Sequence, residues 1–138
     1  MSPQSSPDER PDAQARAEAA AMRIPDLANA DPDIQRRARW LTAEWLLGAG
    51  ETQFHVTQRE GRIEGFQRGP FLMRPWTFAI RADAPAWLEF WRPLPAPGFH
   101  DILALSKHGR LRIEGDLHPF MANLQVIKDI VTTPRARP

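Results

Sequence analysis

FHDILALSKHGRLRIEGD, residues Phe99–Asp116, is the stretch whose punctuation decides the fold. Phe99–Ser106 reads as a short apolar helix bearing Phe99, Ile102 and Leu103. His108-Gly109 makes a tight turn, and Arg110 to Glu114 alternates polar and apolar residues as a strand does, with Leu111 and Ile113 on one face. Gly115-Asp116 ends the strand and caps a further helix. A helix feeding a strand that leads at once into an amphipathic helix builds one wall of an apolar cavity. No nucleophile with an adjacent base stands in the stretch, so the first expectation is binding of something apolar.

Downstream, Leu117, Phe120, Met121, Leu124, Ile127 and Val131 fall on one wide helical stripe, which Pro134 ends. Upstream, Trp76–Arg81 reads as a strand with Trp76, Phe78 and Ile80 on one face. Asp83 caps the helix that follows, with Pro85 in its first turn and Trp87, Leu88 and Trp91 on its apolar side. Thr52–Gln58 alternates as a strand, Glu60-Gly61 makes a hairpin turn, and Arg62–Gln67 returns. Between Gly69-Pro70 and Pro75 the chain is expected to cross irregularly or run as an edge strand. Asp33–Leu47 reads as an amphipathic helix, because Ile34, Ala38, Leu41 and Trp45 recur at helical spacing behind Asp31, Pro32 and Asp33. Residues 1–31, punctuated by prolines and without a large apolar residue before Met22, read as a disordered tail. The folded domain is then expected over 32–132, with a C-terminal tail at 133–138. The order helix, strands, helices, strand, helix excludes a regular alternating parallel sheet. It predicts an α+β domain whose antiparallel or mixed sheet is covered by helices on one side.

Composition bounds the chemistry. The chain has 138 residues, 42% of them hydrophobic, which suits one core. Eighteen basic residues oppose 17 acidic ones and are spread along the chain, so nucleic acid is not an expected partner. The absence of cysteine excludes disulfides, thiolate metal sites and a cysteine nucleophile. No leader-like start and no apolar run of membrane-spanning length is present, so a soluble, cytoplasmic protein is expected. His55, His100, His108 and His118 match no metal or catalytic spacing, and no serine stands in an elbow motif. Gly61, Gly65 and Gly69 recur every four residues without the Lys-Ser/Thr of a phosphate loop. No cofactor, metal or catalytic group is expected.

The strand WTFAIRAD (76–83), the helix ADAPAWLEFW (82–91) and the block ALSKHGRLRIEGDLHPFMANL (104–124) together resemble the sterol carrier protein type two (SCP2) family over about residues 50–131. The proline-rich loop Pro93–Pro97 and the Gly69–Pro75 stretch depart from its pattern. The resemblance implies five strands, helices over one face, and an apolar tunnel for lipid tails. It also implies fatty acids, acyl thioesters, sterols or phospholipids as ligands, and no catalytic residues. Phe54, Trp76 and Phe78 are the expected sheet side of the ligand site. Trp87, Trp91, Phe99, Leu103, Phe120 and Leu124 are its expected helical side, with the final helix, Leu117–Val131, as gate. Rings line such a cavity without asking for hydrogen bonds beyond one indole N–H each, and equally they can fill a solid core. The expected partner is thus a lipid or another apolar small molecule. Arg36, Arg37, Arg39, Arg135 and Arg137 offer a transient contact to an anionic membrane, or simply a solvated face. The alternative function is an accessory interaction module for a lipid-pathway or membrane-associated enzyme, with a filled core and a protein partner.

Overall fold

A computed structural model describes residues 9–71 and 73–135. In chain order it contains α1 (Glu9–Ala21), α2 (Ile24–Ala30), α3 (Pro32–Arg37), β1 (Ala43–Ala49), β2 (Thr52–Arg59), β3 (Arg62–Arg68) and β4 (Phe78–Ala82). These are followed by α4 (Ala84–Phe90), α5 (Ile102–Lys107), β5 (Leu111–Gly115), α6 (Leu117–Ala122) and α7 (Leu124–Thr132). The five strands form one mixed sheet in the order β3-β2-β1-β4-β5. β1 and β4 run parallel, and the other three pairings are antiparallel. The expected α+β class, with a mixed five-stranded sheet under helices, is what forms.

Register fixes the faces. Trp45 sits between Val56 and Phe78, and Leu47 between Phe54 and Ile80, whose other neighbour is Ile113. These residues point to one side, where they meet buried residues from the helices, among them Ile24, Ile34, Trp87, Phe90, Ile102, Leu105, Phe120, Ile127 and Ile130. Aspartates start four of the helices: the Asp31, Asp83, Asp101 and Asp116 side chains accept backbone N–H groups of the first turns of α3, α4, α5 and α6. Glu60 and Gly61 turn the β2–β3 hairpin with positive φ at both central positions, the twist that adjacent right-handed strands require.

Several expectations fail. The helix expected over Phe99–Ser106 begins only at Ile102, behind the Asp101 cap. The helix expected over Asp33–Leu47 stops at Arg37, and Ala43–Ala49 is instead the central strand. Ile34, Ala38, Leu41 and Trp45 are all buried as expected, yet by a helix, a turn and a strand in succession. A central strand buried on both faces carries no alternation, and WLLGA therefore continues the helical stripe.

The stretch 1–31 is not a tail over its described part. α1 and α2 occupy Glu9–Ala30 and bury Ala17, Ala21, Ile24 and Ala28. α1 packs against α4 and β1 through small alanines, which let backbones approach but show no large apolar stripe. Its anchorage is polar. Gln14 donates to Ala49 O (2.8 Å), and Glu18 accepts from Thr52 Oγ1 (2.9 Å) and pairs with Arg68 (2.5 Å). Residues 1–8 of the expected tail lie outside the described residues.

The single final helix is broken at Asn123 into α6 and α7. The C-terminal tail expected from residue 133 begins docked. Arg135 donates to Phe90 O (2.9 Å) and His100 O (3.1 Å) and lies over the Phe90 ring; residues 136–138 lie outside the described residues. The expected crossing after Gly69 is irregular through its described residues, Leu72 excepted, and carries the chain from the β3 edge to β4.

Candidate functional site

Two adjoining aromatic groups occupy the layer between sheet and helices. On the sheet, Trp45 stacks on Phe78 (5.6 Å between centroids), whose other side meets the edge of Phe120 from α6 (5.5 Å). Beside it on α4, Trp87 stacks on Trp91 at 4.9 Å, with Phe90 edge-on to Trp87. Each of the three buried indole N–H groups has a partner. Trp45 Nε1 donates to Gln58 Oε1 (3.1 Å), Trp87 Nε1 to Gly48 O (2.8 Å) and Trp91 Nε1 to Val131 O (2.8 Å). The rings thus present only apolar surface to one another, with their polar handles turned into backbone and Gln58.

Of the nine residues expected to line a ligand site, Phe54, Phe78, Trp87, Trp91 and Phe120 belong to the buried cluster. Phe99 and Leu124 pack against it half-buried. Trp76 and Leu103 do not join it. Trp76 precedes β4 and is 38% exposed, with Arg81 over its ring, and Leu103 on α5 is 37% exposed. Trp45 and Ile80 are central to the layer and stand outside the nine. For the first, two-sided burial of β1 leaves no alternation to read, and Trp45 shows only as part of an apolar run.

Clefts on the described surface include four whose lining residues are other than these nine. One of about 840 Å³ lies between α1 and α4 beside Gln14, Glu18 and Pro85. One of about 550 Å³ lies over Gly48, Arg81, Arg110 and Arg112. One of about 590 Å³ lies beside Arg23, Ile34, Asp129 and Arg135. A smaller one, about 340 Å³, lies between Gln53 and Phe71.

The final helix is held more firmly than its one apolar face predicts. Beyond Val126, Ile127, Ile130 and Val131, which are buried, Lys128 pairs with Asp101 (2.5 Å) and Asp129 with Arg37 (2.8 Å). Asp33 and Asp129 hold the Arg37 guanidinium charged, raising its pKa, although burial opposes them. α6 is tied less closely: Phe120 is its buried residue, while Leu117 and Met121 are exposed.

His55 is buried on the opposite face of the sheet, beneath the irregular crossing. Its Nε2 lies 2.9 Å from Pro75 O and 3.6 Å from Glu44 Oε1, Phe71 meets its ring edge-on, and Nδ1 is buried without a partner. His100, His108 and His118 are exposed. No group of three or more His, Cys, Asp or Glu able to hold a metal occurs among the described residues. No helix among them is long and apolar enough to cross a membrane.

Solved structures share this architecture. Sterol carrier protein 2 superposes with a TM-score of 0.66, 87% of this chain covering 96% of that one at 16% identity. The fold is that of sterol carrier protein 2. A conserved hypothetical protein of Thermus thermophilus also matches, at TM-score 0.60 and 16% identity, with 88% of this chain and 90% of that one covered. So does UbiJ-SCP2, a ubiquinone synthesis protein, at TM-score 0.56 and 12% identity over 87% of this chain and 96% of that one. No protein-family model matches the chain, and comparison with curated proteins finds no match. The SCP2 architecture is carried here by a largely different set of side chains.

Proposed function

We propose that the protein is a non-enzymatic carrier of a hydrophobic lipid, a fatty acid, acyl thioester, phospholipid or sterol-like molecule, held between the inner face of the sheet and the helices. One observation carries this. The layer around Trp45, Phe78, Trp87, Trp91 and Phe120 is apolar, and its indole N–H groups are already paired, so an occupant need supply no polar partner. Each methylene moved from water into such a layer contributes about 0.8 kcal/mol, so roughly fourteen contribute about 11 kcal/mol. Micromolar binding needs about 8 kcal/mol. The difference is available for parting α6 from the sheet, where Phe120 alone is buried. The solved structures named as sterol carrier protein 2 support the role by fold.

The test is extraction. Protein purified without added lipid is denatured, and the released small molecules are identified by mass spectrometry against a mock purification. Stoichiometric lipid is the expected result, and a clean extract from protein that also takes up no acyl chain contradicts the carrier role.

A second role, an accessory interaction module, is favoured by the close packing of the rings, Trp45 on Phe78 and Trp87 on Trp91. The ubiquinone synthesis protein of the same fold supports it. Lipid uptake distinguishes the two, because a module whose core stays filled takes up none.

A further inference from the structure

The outer face of the sheet bears a cationic cleft that the carrier role does not use. Gly48, Arg81 and Arg112 are direct neighbours across β1, β4 and β5, which places Arg81 and Arg112 side by side on that face. Arg110, in the turn just before β5, lines the same cleft of about 550 Å³. Like charges directly opposite on paired strands repel. Glu114 relieves part of this by accepting from Arg81 Nε at 2.7 Å, and Asp83, the other carboxylate of the cleft, is engaged in capping α4. No carboxylate among the described residues pairs with Arg110 or Arg112, and Arg110 lies over the Phe99 ring at 5.1 Å.

The floor is open for a reason. A Cβ on Gly48 would stand 3.1 Å from Arg81 Cγ, so even a methyl there would press on the arginine stem. A cross-strand arginine pair, a third arginine beside it and a glycine floor make a concave surface with exposed guanidinium donors. Guanidinium forks match phosphate oxygens two at a time, which a single carboxylate partner does not exhaust.

We propose that this cleft binds a phosphate group, with Arg110 and Arg112 as its principal donors and Arg81 as the positioned third. The phosphate is either that of a free soluble anion or the headgroup of a phospholipid, and the two sources share the same recognition chemistry.

The full chain is titrated with inorganic pyrophosphate by calorimetry, and separately with phosphatidylcholine vesicles with and without phosphatidic acid by co-sedimentation. Variants R110Q/R112Q and, on the distant β2–β3 hairpin, R59Q/R62Q are compared after their folding is verified by circular dichroism. Saturable binding is expected in the wild type, weakened roughly tenfold or more in R110Q/R112Q and unchanged in R59Q/R62Q. Binding of pyrophosphate alone assigns a free anion, and binding of phosphatidic acid vesicles that R110Q/R112Q abolishes assigns a headgroup. Absence of saturable binding to either probe, or an equal loss in both double variants, overturns the proposal. None of these results depends on whether the inner layer takes up an acyl chain.

Discussion

The Asn29 side chain exchanges two hydrogen bonds with the backbone of Ile63, Nδ2 donating to Ile63 O and Oδ1 accepting from Ile63 N, both at 2.9 Å. Ile63 lies in β3, the edge strand, whose outer N–H and C=O groups have no sheet neighbour. An amide side chain from α2 thus acts as a fragment of a sixth strand and closes part of the edge to other chains. Gln35 assists by donating to Gly61 O at 3.2 Å.

Asn29→Ala leaves a partly buried donor and acceptor unpaired. The expected loss is about 1–3 kcal/mol, read as a lower urea midpoint at unchanged slope. Asn29→Asp keeps the acceptor but removes the donor, and is expected to retain part of the stability. Equal midpoints for wild type and N29A would show that water replaces the amide without cost.

Glu18 makes folding sensitive to acid. Burial raises its pKa, but hydrogen bonds from Gln14 and Thr52 together with the Arg68 guanidinium outweigh burial, and the net shift is downward from 4.5. A carboxyl group whose pKa is lower folded than unfolded stabilises above the unfolded value and loses that contribution as pH falls through the folded one. Glu18→Gln is therefore expected to unfold at lower urea than wild type at neutral pH. The gap should close as pH drops below about 4.5. A gap constant from neutral pH down through that range contradicts the assignment.

Trp91 ties α4 to the end of α7. Its Nε1–H reaches Val131 O, one of the last carbonyls of a helix and so without a partner inside it. Trp91→Phe keeps most of the ring but orphans that carbonyl, with an expected cost of about 1–3 kcal/mol. Amide exchange should quicken selectively in the last turn of α7. Uniform quickening through the sheet would instead indicate general loss of packing.

Gly115 closes β5 with φ +95°, and a Cβ there would stand 2.5 Å from Thr77 O and 3.0 Å from Phe78 Cα. Backbone on two sides cannot yield. Gly115→Ala is expected to cost at least about 1–3 kcal/mol from conformation alone, whereas Gly109→Ala, also at positive φ but with open space around it, bears the conformational part only. Thermal midpoints of the two variants separate clash from strain.

Most of the block from Asp83 to Asp116 is legible in the sequence because its boundaries are local: the Asp83 and Asp116 caps, an early proline and a glycine turn act within a few residues. The start of α5, behind the Asp101 cap, is the exception, read from the sequence three residues too early. Most of the site follows from the same kind of signal, since Phe78, Trp87, Trp91 and Phe120 are core-facing by simple periodicity. What the sequence hides depends on partners far along the chain. β1 is a strand because β2 and β4 flank it, and its two-sided burial erases the alternation that would announce it. α1 holds through Gln14 and Glu18 to residues more than thirty positions away, a pattern that no apolar count detects. Trp76 falls on the inner face only if the alternation of Phe78 and Ile80 is continued backward, but β4 begins at Phe78 and Trp76, outside the strand, lies partly exposed with Arg81 over its ring.

The central claim is that the inner layer opens for a lipid tail. Its most direct test is a titration of delipidated protein with palmitate, followed by methyl NMR. Leu47, Ile80 and Ile127 report the inner layer, and the exposed Met73 and Leu94 report the surface. Stoichiometric binding should shift the inner methyls and leave Met73 and Leu94 in place. Inner resonances that stay fixed while palmitate is added to excess would contradict the carrier role and leave the filled-core interaction module in its place.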